Sequence, residues 1–246
     1  MSKISVVCVT NRKSAKEFLF AQLDKQTFKD FEVIVADDSI WDCSCEKDKW
    51  REHTMIIRPS GEYWGGCHFH PRQKQEGDVW NLNKAYNDCL KRAKGELIVF
   101  LQDFINIPAN GLQRFWDMYQ LYPKDLVTGC GHKYENEKIV ETDDRVFGER
   151  QIVPSDWTYF ELNWAACPRT SLVHFEEDMD KFYGGENQIF ALKALLEHGA
   201  QVWLDRKNEC RGLAHHDRPE NWEEMHSNKF NRLNEKIKEI YGRLTV

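Results

Sequence analysis

Residues 4–39 have the sequence ISVVCVTNRKSAKEFLFAQLDKQTFKDFEVIVADDS, in which two apolar runs flank a segment of mixed polarity. The runs from Ile4 to Val9 and from Phe31 to Ala36 are rich in β-branched residues, which is typical of strands buried on both faces. Between them, apolar residues recur at helical spacing from a cap at Ser14 through about Asp24. A strand, a helix and a strand in this order predict a parallel, right-handed β-α-β unit.

The remaining sequence continues the alternation of strands and helices. Further strands are predicted at Met55 to Ile57, Glu96 to Leu101, Leu126 to Cys130 and Val202 to Leu204. Further helices are predicted at Asp78 to Ala93, Gly111 to Leu121, Glu186 to His198 and Asn221 to Leu244. The sequence that follows Cys130 is expected to be irregular and polar. We therefore predict an α/β fold with a Rossmann-like, mostly parallel central sheet and helices on both faces.

Length and composition fit one large α/β domain. The chain has 246 residues, of which 41% are hydrophobic, and this is enough for a core without disulfides or a structural metal. A formal charge of −6 disfavours broad electrostatic capture of nucleic acid. The eight cysteines are scattered, as expected of reduced thiols in the cytosol. Because no apolar stretch approaches the length of a membrane span, we expect a cytoplasmic protein without stable membrane insertion.

One group of cysteines and histidines is concentrated in a short part of the sequence. It consists of Cys43, Cys45, Cys67, His68 and His70. A zinc site is one hypothesis for this group. Ordinary reduced cysteines in loops are the favoured alternative, because the paired CxxC or HxxxH spacing of zinc sites is missing.

Two of the predicted strands end in carboxylates, at Asp37-Asp38 and at Asp103. In open α/β sheets, ligands bind beyond the carboxyl ends of the strands, near the point where the strand order reverses. These aspartates are therefore candidates for holding a base, a ribose or a metal–diphosphate group. The alternative is that they are ordinary turn and cap residues.

Four segments of the chain carry a family resemblance. They are ISVVCVTNR at 4–12, QTFKDFEVIVADDS at 26–39, YNDCLKRAKGELIVFLQD at 86–103 and FYGGEN at 182–187. In this order they resemble the family-two glycosyltransferases of the A-type fold. The resemblance implies transfer of a sugar from a nucleotide diphosphate donor, with a UDP-sugar favoured. It implies a hydroxyl of a glycan, a protein or a modified nucleobase as the acceptor.

The resemblance also implies a set of donor-binding residues. These residues are Thr10, Arg12, Asp37, Asp38, Asn87 and Gln102. Thr10 and Arg12 would lie beside the base and the diphosphate. Asp38 would accept a hydrogen bond from the base or the ribose, because uracil N3–H and ribose hydroxyls are donors.

A divalent cation is the cofactor that the resemblance implies. Asp103 stands where the family has its metal-binding aspartate, and a cation there would neutralise the leaving diphosphate. Oxygen ligands favour Mn²⁺ or Mg²⁺. Gln102 and Phe104 flank Asp103, so the usual pair of carboxylates is reduced to one. His215 and His216 stand where the family completes the metal site, although adjacent histidines in a loop are otherwise ordinary surface residues.

Glu186 and Asn187 are the catalytic candidates. Glu186 is the candidate for the base that deprotonates the acceptor hydroxyl in an inverting transfer; the other possibility is that it only hydrogen-bonds the acceptor. The usual motif is Glu-Asp, and Asn187 cannot take a proton. The letters GGEN also resemble retaining polypeptide N-acetylgalactosaminyltransferases, so retention stays open. As an alternative to catalysis, Glu186 is a favourable acid in the first turn of a helix.

Two alternative functions and a division into domains also follow from the sequence. A nucleotidyltransferase is disfavoured, because the loop at 11–14 lacks glycines. A catalytically inactive relative that binds a nucleotide sugar or a glycan is the second rival. We expect one domain at 1–218, with a nucleotide-binding half at 1–105 and an acceptor-side half at 106–218. A C-terminal helix would follow at 219–246.

Aromatic residues are concentrated between Trp157 and Trp164, with Trp64 earlier in the chain. Sugar rings stack on such side chains, so the segment is a candidate acceptor platform. Core packing is the favoured alternative, because most aromatic side chains in a domain of this size are buried.

Overall fold

A computed structural model describes residues 2–10, 15–37, 54–57, 82–180, 184–213 and 222–244. Its strands and helices, in chain order, are β1 (Ile4–Thr10), α1 (Ala15–Asp24), β2 (Phe31–Asp37), β3 (Thr54–Ile57), α2 (Leu82–Leu90), β4 (Leu97–Leu101), β5 (Ile105–Asn106), α3 (Gly111–Leu121), β6 (Leu126–Glu135), β7 (Lys138–Thr142), β8 (Ile152–Ser155), β9 (Trp164–Pro168), α4 (Glu186–His198), β10 (Val202–Leu213) and α5 (Trp222–Leu244). Short 3₁₀ helices lie at Asp144–Val146, Trp157–Tyr159, Arg169–Ser171 and Glu177–Met179.

The strands form one sheet in the order β3-β2-β1-β4-β9-β6-β10-β5, with β7 beside β6 and β8 beside β10. The first four strands in this order are parallel, and so are β6 and β10. β9 joins the two parallel groups, because it pairs antiparallel with both β4 and β6. The chain order reverses at β1, whose two neighbours are β2 and β4. That reversal is the switch point where ligands of open α/β sheets bind.

Helices cover both faces of the sheet, as the alternation of buried side chains along β1 requires. Val7 faces a core layer to which α2 and α4 contribute Tyr86 and Phe190. Val6 faces a second layer to which α1 and α3 contribute Leu23 and Phe115. A strand that is apolar on both faces therefore lies between two helical layers. The predicted Rossmann-like α/β fold is confirmed.

Several predicted boundaries are corrected. β6 continues past Cys130 to Glu135, and β10 continues past Leu204 to Leu213. These extensions carry polar side chains, and their backbone groups pair with each other and with β7. The stretch after Cys130 is therefore not irregular, since it also contains β8 and β9. Among the described residues, the helix predicted from Asp78 begins at Leu82 and ends at Leu90.

The terminal helix α5 packs on α4. Ile240 is buried against Ile189 and Leu192, and Leu233 and Ile237 lie beside it. The spacing of these three residues of α5 places them on one helical stripe. The predicted division of the chain into a nucleotide-binding half and an acceptor-side half stays a prediction, and the sheet runs through both halves.

Candidate active site

Thr10 and Asp103 meet where β1 and β4 end. We call this border of the sheet, formed by the carboxyl ends of β1, β2 and β4, the carboxyl edge. The Thr10 hydroxyl donates a hydrogen bond of 2.6 Å to Oδ2 of Asp103. Asp37, at the end of β2, is the register partner of Thr10 and is buried. The structure therefore brings three of the predicted residues together at the switch point.

A turn follows β4 and carries Gln102 and Asp103. The Gln102 N–H donates to the carbonyl oxygen of Asn163 at 3.0 Å, and the Ile105 N–H donates to the carbonyl oxygen of Gln102 at 3.2 Å. Asn163 directly precedes β9, which runs antiparallel to β4. The turn is thus held by the strand that joins the two parallel groups. Both predicted side chains are half-buried.

Glu186 is the first residue of α4. Gly184 and Gly185 precede it with φ values of +74° and +98°, a left-handed conformation that side chains other than glycine rarely adopt. This pair of glycines turns the chain sharply into the helix. The carboxylate consequently lies at the positive end of a helix of thirteen residues, where a negative charge is favoured.

The buried phenol of Tyr86 lies within electrostatic range of both Asp103 and Glu186. Tyr86 lies in α2, is 1% exposed, and stacks on Phe175 with ring centroids 4.9 Å apart. Burial raises the pKa of Tyr86 well above its ordinary value, and nearby groups that include Glu186 and Asp103 raise it further. Both acids therefore lie within electrostatic range of one side chain, which stays protonated as a donor. The resemblance segment at 86–103 begins with Tyr86, but the sequence predicted no role for it.

Asp180 caps α2 on the same side of the site. Its carboxylate accepts hydrogen bonds from the N–H groups of Asn83 at 2.6 Å and Lys84 at 3.0 Å. Burial raises the pKa of Asp180, and the charges of Glu177 and Glu186 raise it further. The two hydrogen bonds lower it, but the net result is a pKa of about 7. Asp180 thus belongs to the same group of acids as Glu186, although it was absent from the sequence prediction.

Asn87 was predicted to line the donor side. The structure shows its side chain buried and bonded to the backbone of Phe175 in both directions, at 3.0 and 2.8 Å. Its amide also donates to Glu177 at 2.9 Å. This geometry favours a structural role, in which Asn87 fixes the segment that leads toward Asp180.

Asn187 has a partner that the sequence did not indicate. Its Nδ2 group donates a hydrogen bond of 2.8 Å to Oε2 of Glu161. Glu161 is half-buried and lies two residues before Asn163, the residue that holds the turn of Asp103. Two glutamates therefore flank Asn187, one in the same helix and one across the site.

Several predicted residues lie outside the described part of the chain. They are Arg12, Asp38, His215 and His216 of the donor and metal sites, and Cys43, Cys45, Cys67, His68 and His70 of the zinc hypothesis. Their roles stay predictions. Within the described residues, no group of three or more histidine, cysteine, aspartate or glutamate side chains is arranged to hold a metal ion.

The aromatic segment before β9 is mainly core. Phe160 and Trp164 are buried, and the Trp164 ring packs on Phe115 with centroids 4.5 Å apart. Core packing is therefore confirmed for these two residues. Tyr159 is 56% exposed, so its ring is still available to a ligand. Trp64 lies outside the described residues.

The mostly parallel sheet with helices on both faces has the architecture of the A-type glycosyltransferase fold. The chain is similar to residues 1–349 of S. aureus TarS in complex with UDP-GlcNAc, with a TM-score of 0.63 and 18% identity over 91% of this chain. It is also similar to GalNAc-T7 with UDP, GalNAc and Mn²⁺, with a TM-score of 0.62 and 14% identity over 90% of this chain. The predicted resemblance to glycosyltransferases is confirmed at the level of the fold.

The chain resembles these two glycosyltransferases in structure rather than in sequence. The chain spans 64% of the TarS segment and 45% of GalNAc-T7. No family model matches its sequence, and no curated protein matches it either.

Among the described helices, none has the combination of length and hydropathy that a bilayer span requires.

Proposed function

We propose that the chain transfers a sugar from a nucleoside diphosphate donor to a hydroxyl group of an acceptor. A UDP-sugar is the favoured donor, since UDP occupies the similar structures of TarS and GalNAc-T7. One observation carries the proposal. The hydrogen-bonded pair of Thr10 and Asp103 at the carboxyl edge, and Glu186 at the start of α4, lie within electrostatic range of the same buried phenol.

Donor binding is assigned to the carboxyl edge. Thr10, Asp37 and Gln102 would line the nucleotide there, together with Arg12 and Asp38, which follow β1 and β2 in the sequence. The reason is geometric, because the ends of parallel strands present side chains and backbone N–H groups to one ligand. The acceptor would approach from the side of α4 and would be a glycan, a protein side chain or a modified nucleobase.

A divalent cation fits the donor atoms of this edge. Asp103 and Gln102 offer hard carboxylate and amide oxygens, which suit Mn²⁺ or Mg²⁺, and His215 and His216 are the further ligands in the proposal. When bound, such a cation supplies Lewis-acid stabilisation of the departing diphosphate. The Thr10 hydroxyl would orient the Asp103 carboxylate through their hydrogen bond.

Glu186 is the proposed base. A carboxylate at this position can take the proton of the acceptor hydroxyl as that oxygen attacks the anomeric carbon. Asn187 has no basic atom, so it can accept a hydrogen bond from a hydroxyl but cannot remove its proton. This division of labour favours transfer with inversion.

The donor site is tested with Asp103→Asn. In the wild type, UDP should raise the melting temperature in the presence of Mn²⁺ and much less in its absence. The variant should lose the Mn²⁺-dependent part of the shift, because it removes the negative charge of Asp103, and an uncharged amide oxygen binds the cation more weakly than a carboxylate does. Asp125→Asn is the matched control, since Asp125 precedes β6 and lies at the opposite border of the sheet. An unchanged shift in Asp103→Asn would remove this aspartate from the site.

The base is tested with Glu186→Gln. Transfer, or hydrolysis of a UDP-sugar when water is the acceptor, should fall by about 100-fold or more, which is the usual contribution of a general base. UDP binding should stay within about twofold of the wild type, because the variant preserves shape at the acceptor side. Glu197→Gln, in the last turn of the same helix, is the control. A loss of UDP affinity in Glu186→Gln would instead place Glu186 on the donor side.

Retention of configuration is the second candidate mechanism. It is favoured by the amide at position 187, where the Glu-Asp pattern of the inverting enzymes has a carboxylate. The two mechanisms differ in the anomeric configuration of the first product. ¹H NMR of the product formed from a UDP-α-sugar separates them, because inversion gives the β-anomer and retention gives the α-anomer.

A further inference from the structure

Glu161 lies between the two parts of the candidate site. It belongs to the short connection that leads from the 3₁₀ helix Trp157–Tyr159 into β9. Its neighbours Phe160 and Leu162 are buried in the core, whereas Glu161 is half-buried. Two residues further on, Asn163 holds the turn of Asp103. The position of Glu161 is therefore fixed relative to the carboxyl edge.

The contact between Glu161 and Asn187 determines which way the Asn187 amide points. An ionised carboxylate has acceptors only, so the amide must turn its Nδ2 group toward Glu161. The hydrogen bond of 2.8 Å between them has this polarity. The carbonyl oxygen Oδ1 then points away from Glu161. In the part of the chain that the structure describes, no group donates a hydrogen bond to that oxygen.

A cationic side chain lies near Glu161. The Arg145 guanidinium pairs with Asp143 and donates to the carbonyl oxygen of Tyr159, close to Glu161. Burial by itself would lower the pKa of Arg145, but the hydrogen bonds and charge of Asp143 and the charge of Glu161 outweigh it and raise the pKa. A permanent cation thus lies within electrostatic range of the Glu161 carboxylate.

We propose that Glu161 is a positioning residue, which fixes the Asn187 amide so that Oδ1 accepts a hydrogen bond from a hydroxyl of the bound sugar. This inference rests on the proposed function. It separates two roles at the start of α4. Glu186 removes a proton, while Asn187 binds a hydroxyl without removing its proton. Glu161 contacts neither the sugar nor the reacting atoms and acts through Asn187.

The direction of the hydrogen bond between Asn187 and Glu161 is tested by exchanging the amide and the carboxylate between the two positions. Asn187→Asp places two carboxylates against each other, and the melting temperature should fall by about 2–4 °C, as expected for a loss near 1 kcal/mol in a domain of this size. In the double variant Glu161→Gln/Asn187→Asp, the new glutamine amide donates to the new carboxylate, so the melting temperature should recover. Melting temperatures do not depend on enzymatic activity. Additive losses in the double variant would overturn the proposed contact.

The consequence for ligand binding is tested with Glu161→Gln alone. Glutamine keeps the size of the side chain but can donate as well as accept, so the Asn187 amide is free to turn over. Calorimetric titrations with UDP, UDP-GlcNAc and UDP-GalNAc separate the sugar from the nucleotide. The affinity of the preferred UDP-sugar should fall by about 3- to 10-fold, the value of one neutral hydrogen bond, while UDP affinity stays unchanged. Glu141→Gln, in an exposed ion pair with Lys133, is the control.

The outcomes distinguish this inference from the proposed function. A variant that binds UDP-sugar and UDP as the wild type does would overturn the role of Glu161 and leave the proposed function intact. A variant that loses UDP and UDP-sugar equally would show a general distortion of the site, and this would also overturn the inference. If the wild type binds none of the three nucleotides with or without Mn²⁺, the proposed function itself fails, and the inference fails with it.

Discussion

Asp103 depends on a neighbouring strand for its orientation. Its carboxylate lies in a turn, where side chains have many accessible rotamers, and the Thr10 hydroxyl donates to it from the end of β1. Thr10 itself is buried, so its hydroxyl is held by the packing of the strand. A hydrogen bond to a charged group contributes about 1.5–3 kcal/mol. The pair therefore fixes the Asp103 carboxylate, which is the proposed metal ligand.

Thr10→Val tests this dependence. Valine places a methyl group of similar size where threonine has its hydroxyl, so the side chain keeps its volume while the Asp103 carboxylate loses a donor. We expect the Kd of UDP in Mn²⁺ to rise by about 3- to 10-fold, measured by calorimetric titration. Thr10→Ser keeps the hydroxyl and should bind UDP within about twofold of the wild type. If both variants bind equally weakly, the methyl group of Thr10 is the cause and the hydrogen bond is not.

Only some of the individual residues of the candidate site could be predicted from the sequence. Asp103 and Glu186 follow a strand and open a helix, and such positions are recognisable in one sequence. Glu161 and Tyr86 act through contacts with residues that are distant along the chain, and no periodicity or spacing marks such contacts. The buried amide of Asn87 binds the backbone of Phe175, a contact that its motif did not indicate, and its predicted donor contact stays a prediction.

The helix α2 begins at a buried carboxylate from a remote segment. Asp180 accepts from the backbone N–H groups of Asn83 and Lys84, which have no partner within the helix itself. Side-chain caps of this kind contribute about 0.5–2 kcal/mol. Since Asp180 is 2% exposed, the cap is also a buried charge when it ionises. The start of α2, which carries Tyr86, is thereby coupled to pH.

The pH dependence has a definite sign. Burial, followed by the charges of Glu177 and Glu186, raises the folded-state pKa of Asp180 to about 7 from an ordinary value of 3.8. The folded state therefore holds this proton more tightly than the unfolded state does. The contribution of Asp180 to stability is complete below pH 4 and is lost as the pH rises to about 7, with a slope of at most about 1.4 kcal/mol per pH unit.

Asp180→Asn should remove this dependence. Its melting temperature relative to the wild type should rise between about pH 4 and pH 7 and level off above pH 7, because the variant stays neutral while the wild type ionises. At pH 5 the variant should be the less stable of the two, since the asparagine Nδ2 group cannot accept either backbone N–H. Asp88→Asn is the control in the same helix, because its half-buried carboxylate pairs with Lys91 and does not cap the helix. Parallel curves for Asp180→Asn and the wild type would exclude a raised pKa.

Elements with strong hydrophobic patterns were predicted well, and the others were not. β1, β2 and α3 are long apolar or amphipathic segments, and their predicted bounds differ from the observed ones by at most one residue. β9 was missed, because its five residues have no alternation and follow a segment rich in aromatics. The second half of β6 was missed because its polar side chains are tolerated only through pairing with β7 and β10. Pairing of this kind depends on tertiary structure.

At the scale of the whole molecule, α5 is attached by charges as well as by its apolar stripe. Lys236 is 6% exposed in its side chain and pairs with Glu176 at 2.9 Å and with Asp178 at 2.7 Å. Glu176 also pairs with Lys193 of α4 at 2.7 Å. The segment that holds these acids continues into Asp180. The terminal helix therefore contacts the segment that caps α2, beside the candidate site.

Lys236→Met tests how much this charge network contributes. Methionine preserves the apolar stem but leaves the partly buried acids with fewer cations, and removing one partner of such a pair is costly. We expect a loss of about 1–3 kcal/mol in the free energy of unfolding, measured by urea denaturation at pH 7. Lys133→Met, which breaks an ion pair on the exposed face of β6, should change stability by less than about 0.5 kcal/mol.

The pH dependence of the stability of the same variant distinguishes a charge effect from a packing effect. Burial alone would raise the pKa of Glu176, but its hydrogen bonds and charge interactions with Lys193 and Lys236 lower it to about 2. Its stabilising contribution is therefore present above its ordinary pKa of 4.5 and is lost as the pH falls toward 2. The stability difference between the wild type and Lys236→Met should accordingly shrink between pH 5 and pH 3. A difference that stays constant with pH would mean that Lys236 anchors α5 through its aliphatic stem, and that the acids beside Asp180 are held by α4 alone.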